Sequence, residues 1–237
     1  MPSGPDSSTI PSGGGPLVYV DDLEHPVLMA EDHHHLARVR RVRDGDALVL
    51  GDGSGAWRLA RMAGSSPEPV DVVRTVPAPV PQIGVAFALV KGSKPELVVQ
   101  KLTELGVDRI CPFVAARSVV RWDPAKAEAA HQRLQKVSRE AAMQSRQAHL
   151  AEVGPVVEFA TVAATRGAAL AERGGEAPSL DHRFVLVGPE GGWDASELAA
   201  GLPRVGLATG VLRAETGAIV AGALLVALRA GLVAPGA

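Results

Sequence analysis

The sequence predicts an α/β protein in two parts: a small β-rich domain, then a larger domain built on a mainly parallel sheet. Three observations carry that reading, namely the 237-residue length, a proline-rich joint and a change of texture across it. At 46% hydrophobic and 21% charged, the chain can bury the core of one large or two ordinary domains. A disordered tail, a miniprotein and a collagen-like rod are excluded. The joint is DVVRTVPAPVPQ, Asp71 to Gln82, whose closely spaced prolines disfavour helix and mark residues 77–82 as an extended linker.

Residues 1–16 are rich in Pro, Ser and Gly, lack the basic start and apolar run of a secretory signal, and read as a flexible tail outside the fold. Residues 17–76 hold short apolar pieces, LVYV at Leu17, PVLM at Pro26, a longer run from Ala47 and VDVV at Val70, punctuated by Gly, Asp and Ser. That is the pattern of a small β-barrel. Gly51 to Ala56 formally matches a dinucleotide fingerprint, but the alternating Trp57 to Arg61 follows instead of a helix, so a hairpin turn is the better reading.

Residues 83–237 alternate strand and helix. Ile83 to Leu89 is a buried strand, and Ser93 starts a helix with capping-box partner Glu96, core positions Val98, Leu102 and Leu105, and Gly106 as its stop. A strand follows at Val107 to Phe113, then a long helix from Asp123-Pro124 to about Ala148 and short strands near Val153 and Phe184. A helix capped by Asp194 with Glu197, a strand near Val205 and a terminal helix from about Glu215 complete the order. This alternation implies a parallel sheet covered on both faces, with ligands at its carboxyl edge.

Cationic and anionic side chains nearly cancel, 24 against 26, so a nucleic-acid partner needs a local patch. Lys91 to Arg146 supplies one, with 11 cations and 6 anions. It suits phosphate binding or, more plainly, a solvated helix face. The scarcity of lysine among the cations fits planar phosphate recognition or simply genomic base composition. The single cysteine, Cys111, excludes an intrachain disulfide and a cysteine-cluster metal site, and makes the cytoplasm the default compartment. Ala218 to Leu228 is too short an apolar run for a bilayer. The consecutive histidines His33 to His35 point about 100° apart on a helix and cannot chelate one ion from one face, so no metal is expected. Arg38 to Arg43 beside them reads as an RNA-phosphate contact or a solvated helix.

Three segments could carry chemistry. Phe184 to Trp193, FVLVGPEGGW, is a strand feeding a glycine-rich turn that lets backbone approach a ligand, or an ordinary tight turn. A Walker loop is rejected, because the chain has no Gly-Lys-Ser/Thr. Val205 to Gly217 is a second strand and small-residue loop, whose charges Arg213 and Glu215 need a partner or a ligand. Lys91-Gly92-Ser93-Lys94 follows the first strand of the domain.

In their order, HHLARVRRVRDGD, DGSG, KGSKPELVVQKLTELGVDRICPFVAARSVVRW, RLQKVSREAAMQSRQ, LVGPEGGW and VLRAET resemble the SPOUT-superfamily methyltransferases of the RsmE type. The resemblance spans about His34 to Thr216. It implies an N-terminal PUA-like β-barrel and a C-terminal α/β trefoil-knot domain, a homodimer, S-adenosylmethionine as cofactor, and methylation of N3 of a uridine in small-subunit 16S ribosomal RNA. Mapped onto this chain, the cofactor residues are Val187, Gly188, Pro189, Glu190, Gly191, Gly192, Leu207, Ala208, Thr209, Val211, Leu212 and Arg213. Relatives commonly read Leu-Gly-Pro-Arg where this chain has Leu207-Ala208-Thr209-Gly210, and Ala where it has Gly217.

Uridine N3 is a weak acid, so its methylation requires a base or a cation that stabilises the uridinate. Arg213 is the expected stabiliser, and Glu190 or Glu215 the expected proton acceptor. Arg38, Arg41, Lys91, Lys94, Arg117, Arg139 and Gln144 are the expected RNA contacts, and the target base is expected to be extruded. Two alternatives remain: a related methyltransferase acting on another RNA or atom, such as a ribose 2′-hydroxyl, and a non-catalytic RNA-binding assembly factor.

Overall fold

Period-two apolar strands and glycine-stopped helices sort the chain into two units in the computed structural model, which describes residues 10–38, 41–92 and 94–234. Residues 1–79 with 142–150 form the first unit, and residues 80–141 with 151–237 the second. Most of the predicted tail, residues 1–9, and the predicted Ser93 cap lie outside the described residues.

The first unit contains β1 (Leu17–Tyr19), α1 (Ala30–Arg38), β2 (Ala47–Gly51), β3 (Ala56–Ala63), β4 (Ser66–Pro69) and β5 (Arg74–Thr75). Its sheet runs β1-β2-β3-β4, with β5 also on β3. Gly51 to Ala56 is the β2–β3 hairpin, where Asp52 accepts the N–H groups of Ser54 and Ala56. Gly53 and Gly55 take φ of +73° and +107°, and a Cβ on Gly55 would lie 2.6 Å from the Val76 carbonyl. The fingerprint glycines thus serve a turn.

Four expectations change. Ile10 is buried and the Pro16 carbonyl accepts Val49 N–H, so residues 10–16 belong to the fold. Pro26 to Met29 and Val70 to Val73 are not strands; Val27, Met29, Val70, Val72 and Val73 stay exposed, with no face to bury. The long helix stops at Ser145 because Arg146 adopts φ +58° and Gln147 N–H returns to the Ala142 carbonyl. Residues 142–150, read in sequence as part of the second domain, then pack with the first unit: Leu150 N–H donates to Gly53, and Arg146 donates to the carbonyls of Gly13 and Gly15.

The second unit contains β6 (Gly84–Ala88), α2 (Lys94–Leu105), β7 (Arg109–Val114), α3 (Pro124–Ser145), β8 (Glu152–Val153), β9 (Val157–Glu158), α4 (Phe159–Ala163), β10 (Ala168–Glu176), β11 (Phe184–Val187), α5 (Ala195–Leu198), β12 (Arg204–Val205) and α6 (Ala214–Arg229). The strands are parallel in the order β12-β10-β11-β6-β7-β8, with β9 also on β7. Alternation divides the core: Val85, Phe87, Ile110, Val185 and Val187 meet α2 and α6 through Val98, Leu102, Ala218 and Leu225. Ala86, Ala88, Cys111, Phe113, Phe184 and Leu186 face Val162 and Trp193 on the other side. Each fully buried Leu or Val contributes about 1.5–3 kcal/mol. Asp108 accepts Ile83 N–H and the Arg229 guanidinium, which also donates to Gly106, pinning the end of α6.

β7 lies on one side of β6 and β11 on the other. The order in which strands are added, not their direction, therefore reverses between β6 and β11, and the loops after them share the crevice at the carboxyl edge. Nearby, Val205 is the register partner of both Ala171 and Glu176, so residues 172–175 leave the ladder. Gly175 lies so close to β12 that a Cβ would stand 2.7 Å from the backbone of Arg204 and Val205; one on Gly206 would stand 2.9 Å from the Gly175 carbonyl. Backbone cannot swing aside as a side chain can.

Gly175→Ala is expected to lower stability by about 1–3 kcal/mol in chemical denaturation. Gly154→Ala, whose Cβ would meet Cys111 Sγ at 3.6 Å and the Ile110 carbonyl at 3.9 Å, both ordinary contacts, should stay within about 0.5 kcal/mol. Equal stability of the two variants would contradict the close approach of β10 and β12.

Candidate active site

The loops at the carboxyl ends of β11 and β12, the start of α6 and the bulge within β10 enclose a cavity of about 310 Å³. From β11 come Val187, Gly188, Pro189, Glu190, Gly192 and Trp193; the loop after β12 gives Leu207, Ala208, Gly210, Val211, Leu212 and Arg213, and α6 gives Ala214 and Gly217. Of the residues expected to bind a cofactor, Gly191 and Thr209 do not line it. The sequence reading missed the third wall, Ala171, Glu172 and Arg173 at the bulge of β10, and the indole of Trp193. The available signal was a charged pair before two glycines in ALAERGGE.

The β11 loop is held from beneath. A Cβ on Gly188 would stand 2.9 Å from the Trp193 ring, so only glycine lets this backbone rest on the indole. Trp193 is buried against Phe113 and Phe159, and its Nε1–H donates to the Ala171 carbonyl at 3.0 Å, tying two walls together. Asp194 and Glu197 complete the expected capping box on α5.

Glu197 does more than cap. It is only 3% exposed, and its oxygens accept N–H groups from Asp194 at 2.8 Å and from Ala116, in the turn after β7, at 2.9 Å. From the same turn, Arg117 donates to the Gly191 carbonyl at 3.2 Å and pairs with Asp194 at 3.5 Å. Arg117, expected on RNA, therefore braces the glycine loop. Hydrogen bonds from Ser196 hold the Asp194 carboxyl below its usual range, with a smaller push from Arg117.

At the mouth, Lys94 from the start of α2 pairs with Glu190 at 3.2 Å and with Glu215 at 3.1 Å. Both carboxylates raise the lysine above its usual value, Glu215 foremost. Burial pushes the Glu215 carboxyl up, but its own backbone N–H, Lys94 and Arg213 outweigh that, and the net shift is downward. Arg213 is the N-cap residue of α6, forms no side-chain cap bond and is exposed.

The remaining expected RNA contacts divide between the two units. Arg38, Arg41 and Gln144 belong to the first unit; Lys91 and Arg139 belong to the second. Lys91, Arg41 and Gln144 are exposed, and Arg41 takes φ +54°. Among the described residues no His, Cys, Asp and Glu group could hold a metal ion, and no helix is long and apolar enough to cross a membrane.

Residues 76–226 match a family model described as an RNA methyltransferase domain, and residues 30–73 one described as an RNA methyltransferase PUA domain. The chain is 37% identical over 234 residues to the ribosomal RNA small subunit methyltransferase E of Mycobacterium bovis, covering 86% of this chain and 88% of that protein. The protein of the same name from Synechocystis is 33% identical over 225 residues, 82% and 70% of the two chains. The crystal structure of a ribosomal RNA small subunit methyltransferase E from Neisseria gonorrhoeae bound to S-adenosyl methionine matches with a TM-score of 0.75 at 26% identity, over 90% of this chain and 98% of that one. The PUA-like first part and the mainly parallel α/β second part are those the sequence led us to expect. With relatives matched along most of their length, this chain belongs to the ribosomal RNA small subunit methyltransferase E family.

Proposed function

We propose that this protein transfers a methyl group from S-adenosylmethionine to N3 of a uridine in 16S ribosomal RNA of the small subunit, in the cytoplasm and as a homodimer. The observation that carries the reading is the three-walled cavity. Its volume of about 310 Å³ lies in the range of small-molecule sites. Its charges, Glu172 and Glu190 against Arg173 and Arg213, suit a ligand bearing an ammonium, a carboxylate and a sulfonium but no phosphate. Gly188, seated on the buried Trp193 ring, leaves backbone without a side chain for an adenine to approach. Support for the dimer comes from α6, where Ile219, Val220, Leu224 and Leu228 stay only partly buried on a helix with two charges.

The cofactor supplies a methyl group on a positive sulfur; the protein must make uridine N3 nucleophilic. Arg213, exposed at the head of α6, offers a guanidinium to a charge growing on O2 or O4. The two candidate acceptors differ: the Glu190 side chain is 62% exposed and lines the cavity, whereas Glu215 is 12% exposed and does not. We therefore assign the N3 proton to Glu190. Arg38, Arg41, Lys91, Arg139 and Gln144 remain as contacts that position RNA.

The test is transfer of labelled methyl from S-adenosylmethionine to small subunits lacking the modification. Arg213→Ala should lower kcat at saturating substrates by about a hundredfold or more; wild-type turnover removes Arg213 from the chemistry. Glu197→Ala leaves two N–H groups unpaired beneath the glycine loop and should weaken cofactor binding about tenfold or more by calorimetry. An unchanged dissociation constant contradicts the brace.

A further inference from the structure

Lys94 was expected to meet an RNA phosphate, yet its surroundings are those of a chemical group. The crevice between β6 and β11 brings the loop after each strand together, so Lys94, just past β6, meets Glu190, just past β11. From α6 comes Glu215, whose Oε1 takes Lys94 at 3.1 Å and whose Oε2 is buried with no hydrogen-bond partner. Glu215 thus holds Lys94 from a position at the head of a helix, with its own backbone N–H and Arg213 as its other stabilising groups. Glu190, on a largely exposed side chain, shares the same ammonium at 3.2 Å. The three groups carry one net negative charge beside the cavity, with Arg213 the other cation near Glu215.

We infer that Lys94 is a catalytic residue of the methyl transfer: anchored by Glu215, its ammonium passes from Glu190 to O2 or O4 of the target uridine as Glu190 accepts the N3 proton. This rests on the uridine-N3 reading above. The step balances. The N3–H bond breaks with its proton going to a Glu190 oxygen, the N3–CH₃ bond forms as the S–CH₃ bond breaks, and that electron pair remains on a neutral thioether sulfur. Exchange of partners keeps Lys94 paired throughout, and Glu190 becomes more basic as the ammonium leaves it. A fixed cation aimed at the oxygen where charge develops is the arrangement that lowers such a barrier.

The test compares Lys94→Met and Lys94→Arg in the full chain, using small subunits that lack the modification and S-adenosylmethionine. Lys94→Met should lower kcat about a hundredfold, with the cofactor dissociation constant from calorimetry changed by less than about threefold. Lys94→Arg should restore most of the loss. Subunits reconstituted with 5-fluorouridine RNA, whose N3 is more acidic, should recover Lys94→Met more than wild type. Binding gives a readout apart from turnover: with S-adenosylhomocysteine present, wild type should bind fluorinated subunits more tightly as pH rises from 7 to 9, and Lys94→Met should lose that gain. A loss confined to KM for the subunit, independent of fluorination, means a phosphate contact and overturns the role. So does a kcat within about threefold of wild type. If the unaltered chain methylates no uridine N3, the underlying reading fails, and Lys94's role with it.

Discussion

Two stretches of backbone meet at Gly175 and Gly206 with no space for a side-chain carbon, next to the β10 bulge and the loop after β12 that form two walls of the cavity. Pushing them apart would separate the β10 bulge from the loop after β12, and with it Glu172 and Arg173 from Arg213. Trp193 makes the second tie, joining the β11 loop to Ala171 through its indole N–H. The cavity walls are therefore set by backbone approach and one buried ring, while the charged side chains ride on them. Such preorganisation is what allows a few polar groups to act on a reaction centre without reorganising.

The charges at the mouth follow from strand order. Because strand order reverses between the parallel neighbours β6 and β11, a lysine early in the domain and a glutamate almost a hundred positions later become neighbours. Glu215 in the first turn of α6 lies where a helix favours negative charge. Its folded-state carboxyl lies below the ordinary 4.5, so the pair's contribution is present above about pH 4.5 and is lost as pH falls through the lowered value. Lys94 is shifted upward from 10.5, so its contribution, full below that value, is lost only as pH rises through the higher one. The Lys94–Glu215 pair is thus intact across neutral pH. A rate that changes between pH 6 and 9 has to reflect another group, the target base foremost.

Much of the fold was legible because its signals are local. Apolar runs at Ile83 to Leu89 and Phe184 to Val187, the Gly106 stop and the Asp194–Glu197 box each depend on a few adjacent residues. What failed depends on distant partners. ALAERGGE reads poorly as a strand because its polar half leaves the ladder at the bulge, and its second glycine, Gly175, answers to β12 some thirty positions away. Residues 142–150 look like the end of a helix, and only the carbonyls of Gly13 and Gly15 and the Gly53 hairpin show where they pack. VDVV has the composition of a strand and the exposure of a loop. In the site, the two glycine-bearing loops stood out in sequence, but the use of Arg117 as a brace and of Lys94 as a partner for two carboxylates required the structure.

The most direct measurement is the identity of the methylated nucleoside. Small subunits lacking the modification would be incubated with the purified chain and methyl-labelled S-adenosylmethionine, and the 16S RNA digested and analysed by mass spectrometry. The account requires label in 3-methyluridine. Label on a ribose 2′-hydroxyl or on another base would contradict the N3 chemistry assigned to Glu190, Arg213 and Lys94, and bound RNA with no label at all would leave a protein that binds RNA without modifying it.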